Sequence, residues 1–255
     1  MAQIIAFSGK GGTGKTTLAG MAVRYLMEKT GRPILAVDAD ANACLNEALG
    51  VTVHATIGRV REQSLATIRS GARPGGLSTE EHFDYQVQQS IVESRGFDLL
   101  VMGRPEGQGC YCAANNIIRK YTDKLADDYA YVVIDNEAGM EHLSRRTAQK
   151  INVLFIVSDP TLKGIRTVNR INELIVELSL EIDKRYVIFN RVKSGDDAVV
   201  RAACGKGGLA LAGTVPEDVA IYNLDLHGDP VFGIPSDAPS LKAFYGLLDN
   251  VLMAG

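Results

Sequence analysis

The sequence predicts an α/β fold, in which a mostly parallel central sheet of about seven to eight strands carries helices on both faces. Two observations predict it: short, nearly continuous apolar runs recur along the chain, and segments suited to helices separate them. Polar residues that could bind ligands or take part in catalysis follow several of these runs. They lie at the carboxyl ends of the strands, where α/β sheets bind ligands. The runs are residues 4–7, 34–37, 99–102, 131–134, 153–157, 186–189 and 209–215.

Length and composition favour one large domain over residues 1–255. The chain is 46% hydrophobic, enough for a substantial core, and no Pro/Gly/Ser-rich linker divides it. The polar section 55–95 predicts helices and a loop around residues 73–76.

The charge balance bears on the partners that the protein can have. The formal net charge is −3, so no global basic field favours nucleic acid, and no nucleic-acid partner is expected. No apolar run is long enough for stable membrane insertion, and the chain enters a strand at once, without the basic and apolar regions of a signal peptide. A cytoplasmic location with reduced thiols is therefore expected.

The strongest motif is Gly-Lys-Gly-Gly-Thr-Gly-Lys-Thr-Thr at residues 9–17, directly after the first apolar run. It matches G-x-x-x-x-G-K-[ST], a phosphate-binding loop whose backbone N–H groups surround phosphates at a helix N-terminus. Lys15 is expected to reach the β- and γ-phosphates, Thr16 to ligate Mg²⁺ and Thr17 to contact the α-phosphate. The nucleotide-binding residues predicted in the loop are Gly11, Gly12, Thr13, Gly14, Lys15, Thr16 and Thr17.

Three aspartates follow predicted strands. Asp135 ends the run 131–134, as an acidic residue that orients the Mg²⁺ shell does. Asp38 and Asp40 follow the second run, and one could hold Mg²⁺ while the other polarises the attacking water. The alternative for this pair is capping of a helix over residues 43–49, which is compatible with catalysis.

The base-recognition residues indicate ATP. Guanine recognition usually involves Asn-Lys-x-Asp, whereas residues 190–193 read Asn-Arg-Val-Lys and lack that aspartate. The Asn190 amide is a candidate for the adenine edge, with Pro216 and Asp218 nearby; an ordinary turn role for Asn190 is the alternative.

Lys10, the Asp38-x-Asp40 loop and the Asp-Asn-Glu-Ala-Gly loop at residues 135–139 resemble the deviant Walker A ATPases, the group of MinD, ParA and the nitrogenase iron protein. The resemblance covers nearly the whole chain. It implies a homodimer that closes around ATP, with Lys10 reaching the partner's phosphates, Asp40 activating water, and Thr16 and Asp135 at magnesium positions. One departure is the loop 135–139, because many members have Asp-x-Pro-x-Gly there.

Two cysteines one residue apart, Cys110 and Cys112, follow the third apolar run. A single pair supplies too few soft ligands for a closed site, but two such loops meeting on a dimer axis would supply four thiolates. Zn²⁺ would be tetrahedral there and Ni²⁺ could be square-planar. Cys44 and Cys204 lack a close partner in sequence and are expected to be small buried hydrophobes.

The segment Gly-Arg-Pro-Glu-Gly-x-Gly-Cys-Tyr-Cys-Ala at residues 103–113, followed by residues 135–142, resembles the CooC type of ATPase that matures carbon monoxide dehydrogenase. That resemblance implies nickel as the cargo and the apo-form of carbon monoxide dehydrogenase, with its Ni-Fe-S cluster, as the client. His142 lies near this loop but is not assigned as a ligand.

Two other functions remain open. A positioning or partition ATPase would want a basic face or basic amphipathic tail, yet residues 241–252 carry one lysine and predict a docked core helix. An electron-transfer ATPase could hold a subunit-bridging [4Fe-4S] cluster with the same thiolates.

Overall fold

An eight-stranded sheet forms the centre of the computed structural model, which describes residues 2–70, 76–104, 111–138, 150–196, 200 and 209–253. The strand order is β3-β4-β2-β5-β1-β6-β7-β8, and every neighbouring pair is parallel except β3–β4. The predicted α/β class and parallel sheet are confirmed. The strands are β1 (Gln3–Gly9), β2 (Ile34–Ala39), β3 (Val92–Glu93), β4 (Asp98–Val101), β5 (Tyr131–Asn136), β6 (Lys150–Ser158), β7 (Glu181–Val192) and β8 (Ala210–Pro216).

Helices cover both faces of the sheet. Glycine or capping side chains set several helix ends: α1 stops at Gly31, which has a φ of 59°, and α4 begins with a capping box between Ser78 and Glu81. The described helices are α1 (Lys15–Thr30), α2 (Leu45–Leu49), α3 (Ile57–Ser70), α4 (Thr79–Ser90), α5 (Tyr111–Leu125), α6 (Leu162–Glu177), α7 (Val219–His227) and α8 (Pro239–Leu248).

Alternation along the strands produces a core on each side of the sheet. In β1, Ile5 and Phe7 join a core that includes residues of α1 and α8, whereas Ile4 and Ala6 join the opposite core with residues of α5 and α6. Because both faces are covered, the central strands are apolar throughout, which is the pattern that the sequence showed.

The polar section and the terminal segment both form helices. The polar section does form helices, α3 and α4, although part of the predicted loop, residues 71–75, lies outside the described residues. The terminal segment forms α8, whose residues Leu241, Phe244 and Leu248 are buried, so it is a docked core helix as expected. The sequence did not reveal β3, because a two-residue antiparallel edge strand leaves no apolar run.

None of the described helices is long and apolar enough to traverse a lipid bilayer.

Candidate functional site

Strand register brings the predicted acidic residues together at the carboxyl edge of the sheet. Asp135 pairs with Phe7 of β1 on one side and with Asp38 of β2 on the other. Since β1 continues through Gly9 into the glycine-rich loop, the loop and both aspartates occupy one end of three adjacent strands. The expected convergence of these residues is therefore present.

Glycine conformation shapes the loop between β1 and α1. Gly12 and Gly14 have φ angles of 77° and 89°, in the region that side chains rarely adopt. A Cβ on Gly9 would overlap the carbonyl oxygen of Val157, and one on Gly14 would overlap the Asn190 amide nitrogen. The loop thus packs too closely against β6 and β7 for larger residues.

Lys15 folds back onto its own loop. Its Nζ donates to the carbonyl of Lys10 at 3.3 Å, and the Thr13 hydroxyl donates to the same carbonyl at 2.8 Å. Burial lowers the pKa of Lys15, while Asp135 and Asp40 oppose that effect. A phosphate would offer this buried ammonium group the strong anionic partner that a single carbonyl does not. Lys10 itself is half-buried at the mouth of the loop.

Thr16 and Asp135 form a direct pair. The Thr16 hydroxyl donates to Asp135 Oδ2 at 2.6 Å, and Asp135 is 2% exposed. Its second oxygen, Oδ1, is buried without a hydrogen-bond partner among the described residues, and burial raises the pKa of the carboxyl to about 7. A hydroxyl beside an incompletely satisfied carboxylate is an oxygen donor set that suits Mg²⁺.

Among the described residues, both carboxylate oxygens of Asp38 accept hydrogen bonds, unlike those of Asp135. Its two oxygens accept from the N–H groups of Asp40 at 3.0 Å and of Leu45, the first residue of α2, at 2.8 Å. Burial nevertheless raises its pKa to about 6. The local role that the sequence offered as an alternative is present in Asp38, which anchors the start of α2; its role toward Mg²⁺ stays a prediction.

Asp40 lies at the rim beside this anchor. It is half-buried, and its Oδ1 accepts from the N–H of Asn42 at 2.8 Å. A carboxylate at this position is accessible to solvent, as a residue that orients water must be.

The loop after β5 is tied to β1. Asn136 Nδ2 donates to the Phe7 carbonyl at 3.0 Å, and Ala138 lies next to Gly11. The segment that departs from Asp-x-Pro-x-Gly therefore contacts the glycine-rich loop at its described start. Gly139 and the residues up to 149, including His142, lie outside the described residues.

A pocket of about 190 Å³ opens beside the loop. Asn190 lies there with its Nδ2 donating to the Thr13 carbonyl at 2.9 Å. The structure thus gives the Asn190 amide a contact with the loop in addition to its predicted contact with adenine. The residues that line the pocket are Gly14, Thr17, Leu18, Asn190, Arg191, Pro216, Glu217, Asp218, Ile221, Tyr222 and Asp225.

Asp218 lines this pocket but its carboxylate is already engaged. Oδ1 accepts from the N–H of Ala220 at 2.9 Å and so caps α7, while Oδ2 accepts from Ser240 N–H at 2.9 Å and Oγ at 2.7 Å. The carboxylate therefore shapes the pocket wall. The pocket residues Arg191 and Tyr222 were not predicted from the sequence, although Arg191 directly follows the predicted residue Asn190.

Most of the cysteines discussed above lie outside what the structure describes. Cys110 and Cys204 lie outside the described residues, and Cys112 is the second residue of α5 with its side chain outside them. Cys44 is exposed, so the expectation that it is a small buried hydrophobe was wrong. It lies on the turn that leads into α2, where the backbone leaves the core. Within the described ranges, no group of three or more His, Cys, Asp or Glu residues is gathered for a metal.

Comparison with known proteins agrees with this geometry. The sequence model of the CobQ/CobB/MinD/ParA nucleotide binding domain matches residues 4–231. An uncharacterized ATP-binding protein of Methanocaldococcus jannaschii is 39% identical over 98% of both chains. The carbon monoxide dehydrogenase accessory protein CooC of Rhodospirillum rubrum is 32% identical, covering 88% of this chain and 87% of its own.

Solved structures with the same fold include the septum site-determining protein MinD of Pyrococcus horikoshii, complexed with Mg-ADP. It has a TM-score of 0.73 at 24% identity and covers 100% of this chain and 98% of its own. MinD of Pyrococcus furiosus has a TM-score of 0.72 at 22% identity over 100% of both chains. From the matched domain and the full-length relatives, the chain belongs to the CobQ/CobB/MinD/ParA family of nucleotide-binding domains.

Proposed function

We propose that this protein is an ATP-hydrolysing metallochaperone, which dimerises with ATP or metal and inserts nickel into the Ni-Fe-S cluster of carbon monoxide dehydrogenase. The observation that carries the proposal is the Cys110-x-Cys112 pair between β4 and α5, in a chain similar over most of its length to a CooC accessory protein.

The fold supports communication between nucleotide and cysteines. β4, which leads toward the cysteine pair, is the direct neighbour of β2, which carries Asp38. Just beyond β4, Met102 N–H donates to the Asp38 carbonyl oxygen at 2.8 Å. A shift of the Asp38 segment on nucleotide binding would therefore move Met102, at the start of the connection between β4 and α5 that carries the cysteines.

The residues at the nucleotide end support the proposal of ATP hydrolysis. Thr16 and Asp135 would hold Mg²⁺, with Asp38 beside them, and bound Mg²⁺ would neutralise phosphate charge. Lys15 would exchange the Lys10 carbonyl for phosphate oxygens, and Asp40 would orient water. Lys10 would reach the phosphates of the partner subunit, as the resemblance to deviant Walker A ATPases implies.

Nickel enters as cargo at a site that one subunit cannot complete. Two thiolates come from Cys110 and Cys112, and two more would come from the second subunit across the dimer axis. Four thiolates accept Ni²⁺ or Zn²⁺, and their geometry decides between the two. By thermodynamic linkage, a metal that binds mainly the dimer must also promote dimerisation.

The test is size-exclusion chromatography with and without Ni²⁺, Zn²⁺ and ATP. We expect Ni²⁺ to shift the wild type to a dimer and the Cys110→Ser/Cys112→Ser variant to stay unshifted by metal. The matched control is Cys44→Ser/Cys204→Ser, which removes the same number of thiols and should dimerise as the wild type does. If the Cys110/Cys112 variant dimerises with Ni²⁺ as readily as the control, the shared site is wrong.

Delivery is tested separately by activating apo carbon monoxide dehydrogenase with nickel-loaded protein and ATP. Lys10→Ala should bind nucleotide like the wild type but fail to support ATP-dependent activation. If activation survives this change, Lys10 does not link hydrolysis to delivery.

A second candidate is a MinD-like positioning ATPase, favoured by similarity to the septum site-determining protein MinD of Bacillus subtilis, 24% identical over 93% of this chain. Its membrane contact could not use α8, because the apolar face of that helix is buried in the core. Co-sedimentation with anionic liposomes in the presence of ATP would favour this candidate. A brown colour in anaerobically purified protein would instead favour a bridging [4Fe-4S] cluster and electron transfer.

A further inference from the structure

The pairing of β7 with β8 is irregular at the edge of the base pocket. Phe189 pairs with Thr214 and Val192 pairs with Pro216, so three steps along β7 correspond to two along β8. Arg191, within this irregular stretch, has a φ of 58°, which is uncommon for a residue with a side chain. A bulge of this kind re-aims side chains and recurs beside functional sites.

The bulge directs two consecutive side chains at two consecutive carbonyls of the glycine-rich loop. Asn190 Nδ2 donates to the Thr13 carbonyl at 2.9 Å, and an Arg191 guanidinium nitrogen donates to the Gly12 carbonyl at 3.0 Å. Asn190 is buried, whereas Arg191 is exposed. In a regular strand, alternation would send neighbouring side chains to opposite faces.

Each of these carbonyls shares a peptide unit with an N–H of the loop. The Gly12 carbonyl belongs to the same peptide as the Thr13 N–H, and the Thr13 carbonyl to the same peptide as the Gly14 N–H. A hydrogen bond accepted by a carbonyl polarises the peptide and strengthens the donor at its other end, most of all when the partner is charged. The N–H groups of such loops are the ones that surround nucleotide phosphates.

Ion pairing with a carboxylate of the described residues does not account for the position of Arg191. Within the parts of the chain that the structure describes, no carboxylate forms an ion pair with its guanidinium, and the nearby Glu217 pairs instead with Lys193 at 3.5 Å. The positive φ of Arg191 is unfavourable for a non-glycine residue and is maintained where the guanidinium meets the loop.

We propose that Arg191 is a positioning residue for nucleotide phosphates, which fixes and polarises the Gly12–Thr13 peptide of the loop through the bulge in β7. The inference deepens the nucleotide-binding part of the proposed function and rests on it. It assigns Arg191 no contact with the adenine base, so its contribution grows with the number of phosphates beyond the first.

The experiment measures dissociation constants of AMP, ADP and ATP with Mg²⁺ by isothermal titration calorimetry. Arg191→Gly removes the guanidinium but accepts the positive φ, so the fold is preserved, which thermal unfolding checks. We expect ADP and ATP to bind about tenfold more weakly, as the loss of one charge-assisted hydrogen bond predicts, while AMP changes at most about twofold. Arg191→Lys should fall between the variant and the wild type.

Lys193→Ala is the matched control, because it removes an exposed cation two residues away that pairs with Glu217. It should leave all three dissociation constants within about twofold of the wild type. Equal weakening of AMP, ADP and ATP in Arg191→Gly would make Arg191 a wall of the base pocket and overturn the proposal. Unchanged affinities in Arg191→Gly would overturn it too.

Failure of this inference is distinguishable from failure of the proposed function. A wild type that binds none of the three nucleotides would contradict both the role of Arg191 and the proposed function. If the wild type does not deliver nickel while Arg191→Gly weakens ADP and ATP binding more than AMP binding, only the metallochaperone role is overturned.

Discussion

Asp135, near the end of β5, and Asp218, just after β8, both lie at the nucleotide end of the molecule, but their surroundings are opposite. Asp135 has one oxygen bound to Thr16 and the other buried without a partner among the described residues, and burial raises its pKa to about 7. Burial also acts on Asp218, but the hydrogen bonds from Ser240 and Ala220 outweigh it and hold its pKa below the usual value.

The difference distinguishes a carboxylate with an unpaired oxygen, which a ligand could use, from one whose hydrogen bonds stabilise the fold. A buried carboxylate with an unused oxygen costs folding free energy, and such groups are concentrated at functional sites. A carboxylate with three donors stabilises the elements it joins, here α7 and the start of α8. Asp38 lies between the two, with both oxygens satisfied and its pKa still raised to about 6.

The largest predicted effect is a gain in stability from Asp135→Asn. The folded-state pKa of about 7 lies above the usual value of 3.8, so the wild type loses stability as pH rises from about 4 to about 7. The amide avoids this cost and can still accept from Thr16. At pH 8 the nucleotide-free variant should be about 2–4 kcal/mol more stable to urea, with no gain below about pH 4.

The control for that change is Mg-ATP, which should raise the melting temperature of the wild type and have little effect on Asp135→Asn. A variant that is no more stable than the wild type at pH 8 would mean that the buried carboxylate is satisfied after all.

Asp218→Ala should have the opposite sign. It removes the N-terminal cap of α7 and the acceptor for Ser240, so we expect a loss of about 2 kcal/mol in the free energy of urea unfolding at pH 7. Asp218→Asn retains part of the cap and should lose less. Equal losses in the two variants would contradict a capping role.

Thr16→Val removes the hydroxyl that donates to Asp135. The hydroxyl hydrogen bond opposes the rise in the pKa of Asp135, so its removal should raise that pKa further. We expect a loss of about 1 kcal/mol at pH 8 that disappears below about pH 4. In an Asp135→Asn background the loss should shrink, because no charge remains to be stabilised, and a double-mutant cycle measures the difference.

Asp38→Asn should have the smallest effect, within about 1 kcal/mol of the wild type at pH 8. Relief of the buried charge favours the variant, but the new amide group must face one of the N–H donors of Asp40 and Leu45. A change above about 2 kcal/mol in the free energy of urea unfolding would contradict the intermediate character of Asp38 and make it resemble Asp135 or Asp218.

Much of this arrangement followed from local patterns. The seven apolar runs matched strands because central parallel strands are buried on both faces and must be apolar throughout. The glycine-rich loop and Asp135 were predictable because strand ends in this fold converge on one edge. The edge strand β3 was not predictable, since it has only two residues, of which Glu93 is exposed, and so leaves no hydrophobic pattern.

Other features depend on contacts between distant residues. The carboxylate of Asp218 is engaged by Ser240, 22 positions away, and the Arg191 guanidinium meets Gly12, 179 positions away. Cys44 was expected to be buried on the general tendency of free cysteine, but its place on a surface turn exposes it.

The sequence by itself determined the fold class, the phosphate loop and the identity of the residues at the strand ends, because backbone periodicity and glycine chemistry are local properties. It also supplied the cysteine pair on which the nickel proposal depends. Only the tertiary structure decided which carboxylate is satisfied and which retains an unused oxygen, and only it revealed the bulge that turns Arg191 toward the loop. Hydrogen-bond satisfaction and strand register depend on which distant groups meet, and this is settled when the sheet assembles.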